Sequence, residues 1–187
     1  MQTYSPPSRE GGIALLEVLM AMLITAFGIL GFVGLQARTA VANLEAYQRS
    51  QALTLVNDMA QRINLNRSNA DAYVANDIGT TSCASASASA PTTAQNDLCE
   101  WAGSIQGAGE LQGGTKVGAM LNARGCITKV ANITNPANSH YQISIAWQGL
   151  HASGPPSVAC GKNAFTAEDL RRAVSMVVQI ANLQASP

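Results

Sequence analysis

The chain has 187 residues, with eleven basic and eleven acidic side chains and a formal charge of zero at neutral pH. That length accommodates one domain, or one small domain with an anchor, and the charge balance gives no basic field to favour nucleic acid. The one adjacent pair of basic residues, Arg171 and Arg172, reads as a solvated strand end rather than a phosphate site.

Residues 1–12 are short and polar, with Arg9 and Glu10, and Pro6 and Pro7 keep a helix from starting early. From Ile13 to Leu35 the chain is apolar, interrupted only by Glu17 and, less strongly, by Thr25. At ~1.5 Å rise per residue this run spans about 35 Å, enough to cross a hydrocarbon core of roughly 30 Å. Arg9 on one side competes with Arg38 and Arg49 on the other, so charge leaves the orientation open. A secretory signal cut after Ala40-Val41-Ala42 is disfavoured, because the apolar run is too long and contains a glutamate. In a simple signal anchor, Glu17 would sit in the first helical turn, where the helix dipole stabilises a carboxylate by ~0.3–1 kcal/mol. That reading leaves the glycine pair Gly11-Gly12 without a purpose.

Gly12, then Ile13-Ala14-Leu15-Leu16-Glu17, then Val18-Leu19-Met20-Ala21, resembles the class III signal of type IV pilins and type II secretion pseudopilins. In those proteins a polar leader ends in glycine, an apolar residue follows, and a glutamate is fifth in the mature chain. The stretch from Leu15 to the Leu35-Gln36 pair resembles more narrowly the PilV type of minor pilin, with its Leu-Leu-Glu-Val start and glycine-rich end. The close resemblance covers about residues 11 to 65.

The resemblance implies that a prepilin peptidase cuts between Gly12 and Ile13 and methylates the new amine of Ile13. Glycine suits the cleavage site because the missing side chain permits close approach of an extended peptide. Glu17, about 6 Å further along the helix axis, would then pair with the Ile13 amine of a neighbouring subunit. An ionisable group in a membrane segment is expensive and calls for such a partner. The implied fold is α+β and pilin-like, one long N-terminal helix packed on a small antiparallel sheet. The implied function is that of a minor pilin in type IV pilus assembly or initiation. It would sit in the inner membrane as a single pass, head in the periplasm, and then at or near the pilus tip. Its partners would be other minor pilins, the major pilin, the prepilin peptidase and a tip adhesin, with no cofactor, metal, small-molecule substrate or nucleic acid.

No proline occurs between Pro7 and Pro91. From Gln36 to about Asn66 the residues Val41, Leu44, Leu53, Val56, Met59 and Ile63 recur at spacings near three, four and seven, predicting an amphipathic helix. A helix from Ile13 to Asn66 would be roughly 80 Å long. Within its apolar half Gly28, Gly31 and Gly34 each cost ~1 kcal/mol of helix stability against alanine, and they also allow close helix approach in lipid. Residues 67–97, rich in serine and alanine around Cys83, read as a variable surface loop.

The head is expected from about Leu98 to the C-terminus. Tyr141, Ile143, Ile145 and Trp147 alternate with smaller or polar residues, as do Val174, Met176, Val178 and Ile180, and each set predicts a half-buried strand. Cys126 to Val130 is a third candidate and Lys116 to Leu121 a weaker fourth, with a short helix around Trp101. Pro155-Pro156, Asn135-Pro136 and Asn138-Ser139 supply turns.

All four cysteines, Cys83, Cys99, Cys126 and Cys160, follow the apolar run, and none forms a C-x-x-C pair. A zinc or thioredoxin-like site is therefore not expected, and an oxidising compartment is. Of the three possible pairings, Cys83 with Cys99 and Cys126 with Cys160 is preferred. The first would close a loop of about fifteen residues, worth up to ~3 kcal/mol in the loop-entropy model.

His140 and His151 are the only histidines, and with no carboxylate near them in sequence neither predicts catalysis. No phosphate loop or nucleophile elbow occurs, and the glycosylation triplets Asn66-Arg67-Ser68 and Asn132-Ile133-Thr134 are too common to carry weight. No catalytic residue is assigned. The alternatives to a minor pilin are a minor pseudopilin of type II secretion, a signal-anchored periplasmic enzyme or binding protein, and a DNA-binding competence pilin, the last disfavoured by the charge balance.

Overall fold

A computed structural model describes residues 11–80, 90–107, 111–113, 115–116, 118, 120–130 and 139–181. The chain divides into two compact units, Met1–Asn43 and Leu44–Pro187. A single helix, α1 (Gly11–Leu65), runs through the boundary, within a residue or two of the length expected from the absence of proline.

In the first unit, α1 presents large apolar side chains outward from Leu15 at 65% exposure to Leu35 at 63%. Thr25 donates its hydroxyl to the Ala21 carbonyl at 2.7 Å, which removes the one other polar group from the surroundings of the apolar run.

The second unit is built on a four-stranded antiparallel sheet in the order β1-β4-β5-β6. Its strands are β1 (Ala75–Ile78), β4 (Leu121–Val130), β5 (Ser139–Gln148) and β6 (Arg171–Ile180). A second helix, α2 (Thr93–Ile105), precedes a small ribbon of β2 (Leu111–Gln112) and β3 (Thr115–Lys116). Alternation along β5 divides the sheet into two faces. On one face Tyr141, Ile143, Ile145, Trp147, Ile127, Val174 and Val178 form a single core with Ala52, Val56, Met59 and Ile63 of α1 and Trp101 and Ile105 of α2. On the other, Cys126, Ala146 and Ala173 pack under Val158, Cys160 and Phe165 from the loop between β5 and β6.

Two indole groups fasten the helices to this core. Trp101, fully buried, donates to the Leu55 carbonyl at 2.8 Å, and Trp147 donates to the side-chain oxygen of the buried Gln48 at 3.2 Å. Gly125 makes room for Trp101, because a Cβ there would meet the ring at 2.3 Å.

Several expectations need correction. The segment 67–97, read as a loop, contains a 3-10 helix (Arg67–Tyr73) and the edge strand β1. It also holds the start of α2, where Thr92 and Gln95 exchange a reciprocal capping box. The 3-10 helix is pinned because Ala70 and Tyr73 are buried. The weak strand around Lys116 to Leu121 does not form as one piece, since Thr115–Lys116 joins the ribbon while Leu121 opens β4. Leu44 and Leu53 were expected in the buried stripe of α1, yet they stay 42% and 41% exposed. Gln48 and Ala52 lie on the stripe instead, at helical spacing from Val56 and Met59. The turn assigned to Asn135-Pro136 lies outside the described residues.

Arg171 is the largest correction. It is 3% exposed rather than solvated. Its guanidinium pairs with Glu168 at 2.7 Å and donates to the carbonyls of Val158 at 2.6 Å, Cys160 at 3.1 Å and Pro156 at 3.2 Å. A buried cation persists only when its donors are satisfied, and the carbonyls of the loop before β6 do this.

Candidate assembly site

The sequence places the functional chemistry at the start of α1. Gly12 and Ile13 fall within the helix. Glu17 is exposed and has no ion pair among the described residues. Around it Leu16, Val18, Leu19 and Met20 are 62%, 53%, 56% and 55% exposed. Within the single chain, the carboxylate is thus surrounded by apolar side chains that have no protein cover. A carboxylate at mid-depth in a bilayer costs about 2.5–3.5 kcal/mol on insertion scales, so such a helix gains from a cationic neighbour.

The three glycines of the same half, Gly28, Gly31 and Gly34, have no atom within 4 Å of an added Cβ. The helix from Ala14 onward is long and apolar enough to cross a membrane.

The second half of α1 is held in the head by charge as well as by the core. Arg62 reaches Asp58 at 3.0 Å, Asp97 at 3.0 Å and Glu100 at 2.7 Å, joining α1 to α2. Tyr73 donates to the other oxygen of Asp97, and burial, seconded by that carboxylate, pushes the phenol pKa up. Glu45 on α1 accepts from Arg172 at 3.4 Å, and His151 lies 4.0 Å from the same oxygen. Sequence separation hid that proximity between a histidine and a carboxylate.

The 3-10 segment is tied to the sheet by Asp71. Its carboxylate accepts from Lys129 at 2.7 Å and from the Tyr141 hydroxyl at 2.7 Å. The Lys129 ammonium, then the Tyr141 hydroxyl, hold the Asp71 carboxyl below the usual carboxylate range. Lys129 is raised in turn, chiefly by its bond to Asp71.

Cys126 and Cys160 form a disulfide, and Cys99 is disulfide-bonded. Cys83 lies outside the described residues. No group of three or more histidine, cysteine or carboxylate side chains able to hold a metal occurs among the described residues. Arg62, Asp71 and Glu45 were not singled out by sequence reasoning, and Arg171 was read only as a solvated strand end. Only the i, i+4 spacing of Asp58 and Arg62 hinted at any of these contacts.

A long helix with an exposed apolar half, whose second half packs on a small antiparallel sheet, defines a pilin-like α+β protein. A family model described as Tt1218-like, type IV pilin Tt1218, matches residues 34–102. Over that stretch, which runs from the end of the apolar segment into α2, the chain is type IV pilin-like. No curated protein and no solved structure matches the chain. The apolar helix fits a single-pass membrane anchor by length and composition.

Proposed function

We propose that the chain is a minor pilin of the PilV type, a structural subunit rather than an enzyme, that takes part in assembling or initiating a type IV pilus. The observation that carries this reading is Glu17, an exposed carboxylate without an ion pair among the described residues, on a helix otherwise suited to lipid. In this reading residues 1–12 are a leader removed by a prepilin peptidase, and Ile13 becomes the methylated N-terminus. Residues 13–35 hold the subunit in the inner membrane and residues 36–66 carry the head, which lies in the periplasm. Residues 98–187 supply most of the head. The Ile13 amine of one subunit neutralises Glu17 of the next, so an unpaired subunit in lipid is driven toward a neighbour. Other minor pilins, the major pilin and a tip adhesin are the partners, and the pilus tip is the destination.

Mass analysis of the protein purified from membranes tests the first step. A methylated Ile13 start is expected, and an intact Met1 or a start at Asn43 overturns the reading. Glu17→Ala is expected to be cleaved normally and to fail in incorporation, and normal incorporation would refute the pairing. Deletion is expected to remove surface pili and spare type II secretion. Loss of secretion with normal pili would assign the chain to the pseudopilins.

A further inference from the structure

The face of the sheet turned away from α1 carries a cleft that the pilin reading does not use. Its volume is about 420 Å³, and it is bounded by β1, β4, β5 and the loop around Cys160. This is within the range of small-molecule sites, roughly 300–1,000 Å³.

The lining is polar in a particular way. Thr128 and Gln142 stand opposite each other on β4 and β5 and line the cleft with Ser144. Ser144 is 2% exposed and Thr128 and Gln142 are half-buried, and none of the three side chains makes a hydrogen bond among the described residues. A row of hydroxyl and amide groups that both donate and accept, left open toward a cleft, matches a ligand whose own groups do the same.

Charge narrows the class. Arg124 lines the cleft, held by Asp77 at 3.2 Å and stacked over Phe165 at 5.2 Å from the ring centre, with its Nε buried and unpaired. Lys162, exposed, lines the same cleft and has no ion pair among the described residues. Among the residues lining the cleft two cations face one carboxylate, Asp77; Glu168, which also acts on Lys162, is already paired with the buried Arg171, so a positive excess remains. The Cys126–Cys160 disulfide fixes the loop wall to the floor strand, so the site is held in shape before anything binds.

We propose that this cleft binds a polyhydroxylated ring bearing one carboxylate, a uronate. The carboxylate faces Lys162 and Arg124, and the ring hydroxyls meet Ser144, Gln142 and Thr128. The site does not depend on α1, so its failure would leave the assembly reading untouched, and failure of that reading would leave the cleft.

The test uses the full chain in non-ionic detergent micelles, with galacturonate as probe, read by saturation-transfer NMR and calorimetry. Saturable millimolar binding is expected, with galactose and glutamate each weaker by about tenfold or more, since each lacks half of the recognised chemistry. Lys162→Ala and Gln142→Ala are each expected to weaken binding by about fivefold or more with an unchanged melting temperature. If Gln142→Ala disturbs the fold, Lys162→Ala at the surface decides. Tetragalacturonate separates the sources. Equal affinity of monomer and tetramer points to a free sugar acid or a chain end, and much tighter tetramer binding points to a polymer. No binding at about 20 mM, glutamate binding as well as galacturonate, or affinity unchanged in Lys162→Ala would overturn the proposal. Equal glutamate binding would mean that only a carboxylate, such as an acidic peptide side chain, is read.

Discussion

The two halves of α1 use similar residues to opposite ends. In the first, Leu23 is 52% and Ile24 69% exposed. In the second, Val56, Met59 and Ile63 are fully buried against the sheet. Burying such a side chain stabilises by about 1.5–3 kcal/mol, so the second half is held by its own chain. The first half must find lipid or other subunits to gain the same. One continuous helix thus carries a self-sufficient segment and a segment whose stabilisation comes from outside.

The sharpest way to break that comparison is to place the same charge in both halves. Val56→Asp is expected to destabilise the head by more than about 4 kcal/mol, because it buries an unpaired carboxylate. Leu23→Asp is expected to leave head melting unchanged while impairing membrane extraction behaviour. Near-UV circular dichroism and carbonate extraction read the two, and equal loss of head stability would refute the division. Next in size is the disulfide on the outer face. Cys160→Ser opens a link with a sequence separation of 34, and a loss of about 3 kcal/mol is expected in chemical denaturation. Gly125→Ala drives a methyl group into Trp101 and Ile105, for an expected cost of about 1–3 kcal/mol.

The smallest effect belongs to Asp71. Its folded carboxyl titrates below the ordinary value, so its contribution is present above about pH 4 and fades as pH falls through the lowered folded value. Lys129→Met is expected to raise the Asp71 titration toward the ordinary value in NMR. Because both groups are largely exposed, the stability change at neutral pH is expected to stay below about 1 kcal/mol.

Features with a strong local period were legible in the sequence. The apolar run, the proline-free helix and the alternation along β5 and β6 announce themselves because burial imposes a period of 3.6 or 2. The strand β1 was not legible. Its four residues, Ala75 to Ile78, include a polar pair, and Asp77 adopts a positive φ of 55°, so no alternation exists to be read. The candidate site divides likewise. The motif from Gly12 to Glu17 is contiguous and was visible at once, whereas the outer cleft gathers residues from three strands and a loop.

The sequence by itself determined the plan of the chain. A membrane-length helix containing one carboxylate, continuing into an amphipathic stem and a β-rich head, follows from composition and period, which are local properties of the chain. Tertiary structure alone decided the fate of the charges. Arg171 is buried by the carbonyls of its own loop, Arg62 gathers carboxylates from two helices, and Arg124 is set beside Asp77 at the cleft. Whether a cation is solvated or buried depends on partners far away in sequence, and only the folded chain brings them within hydrogen-bond distance.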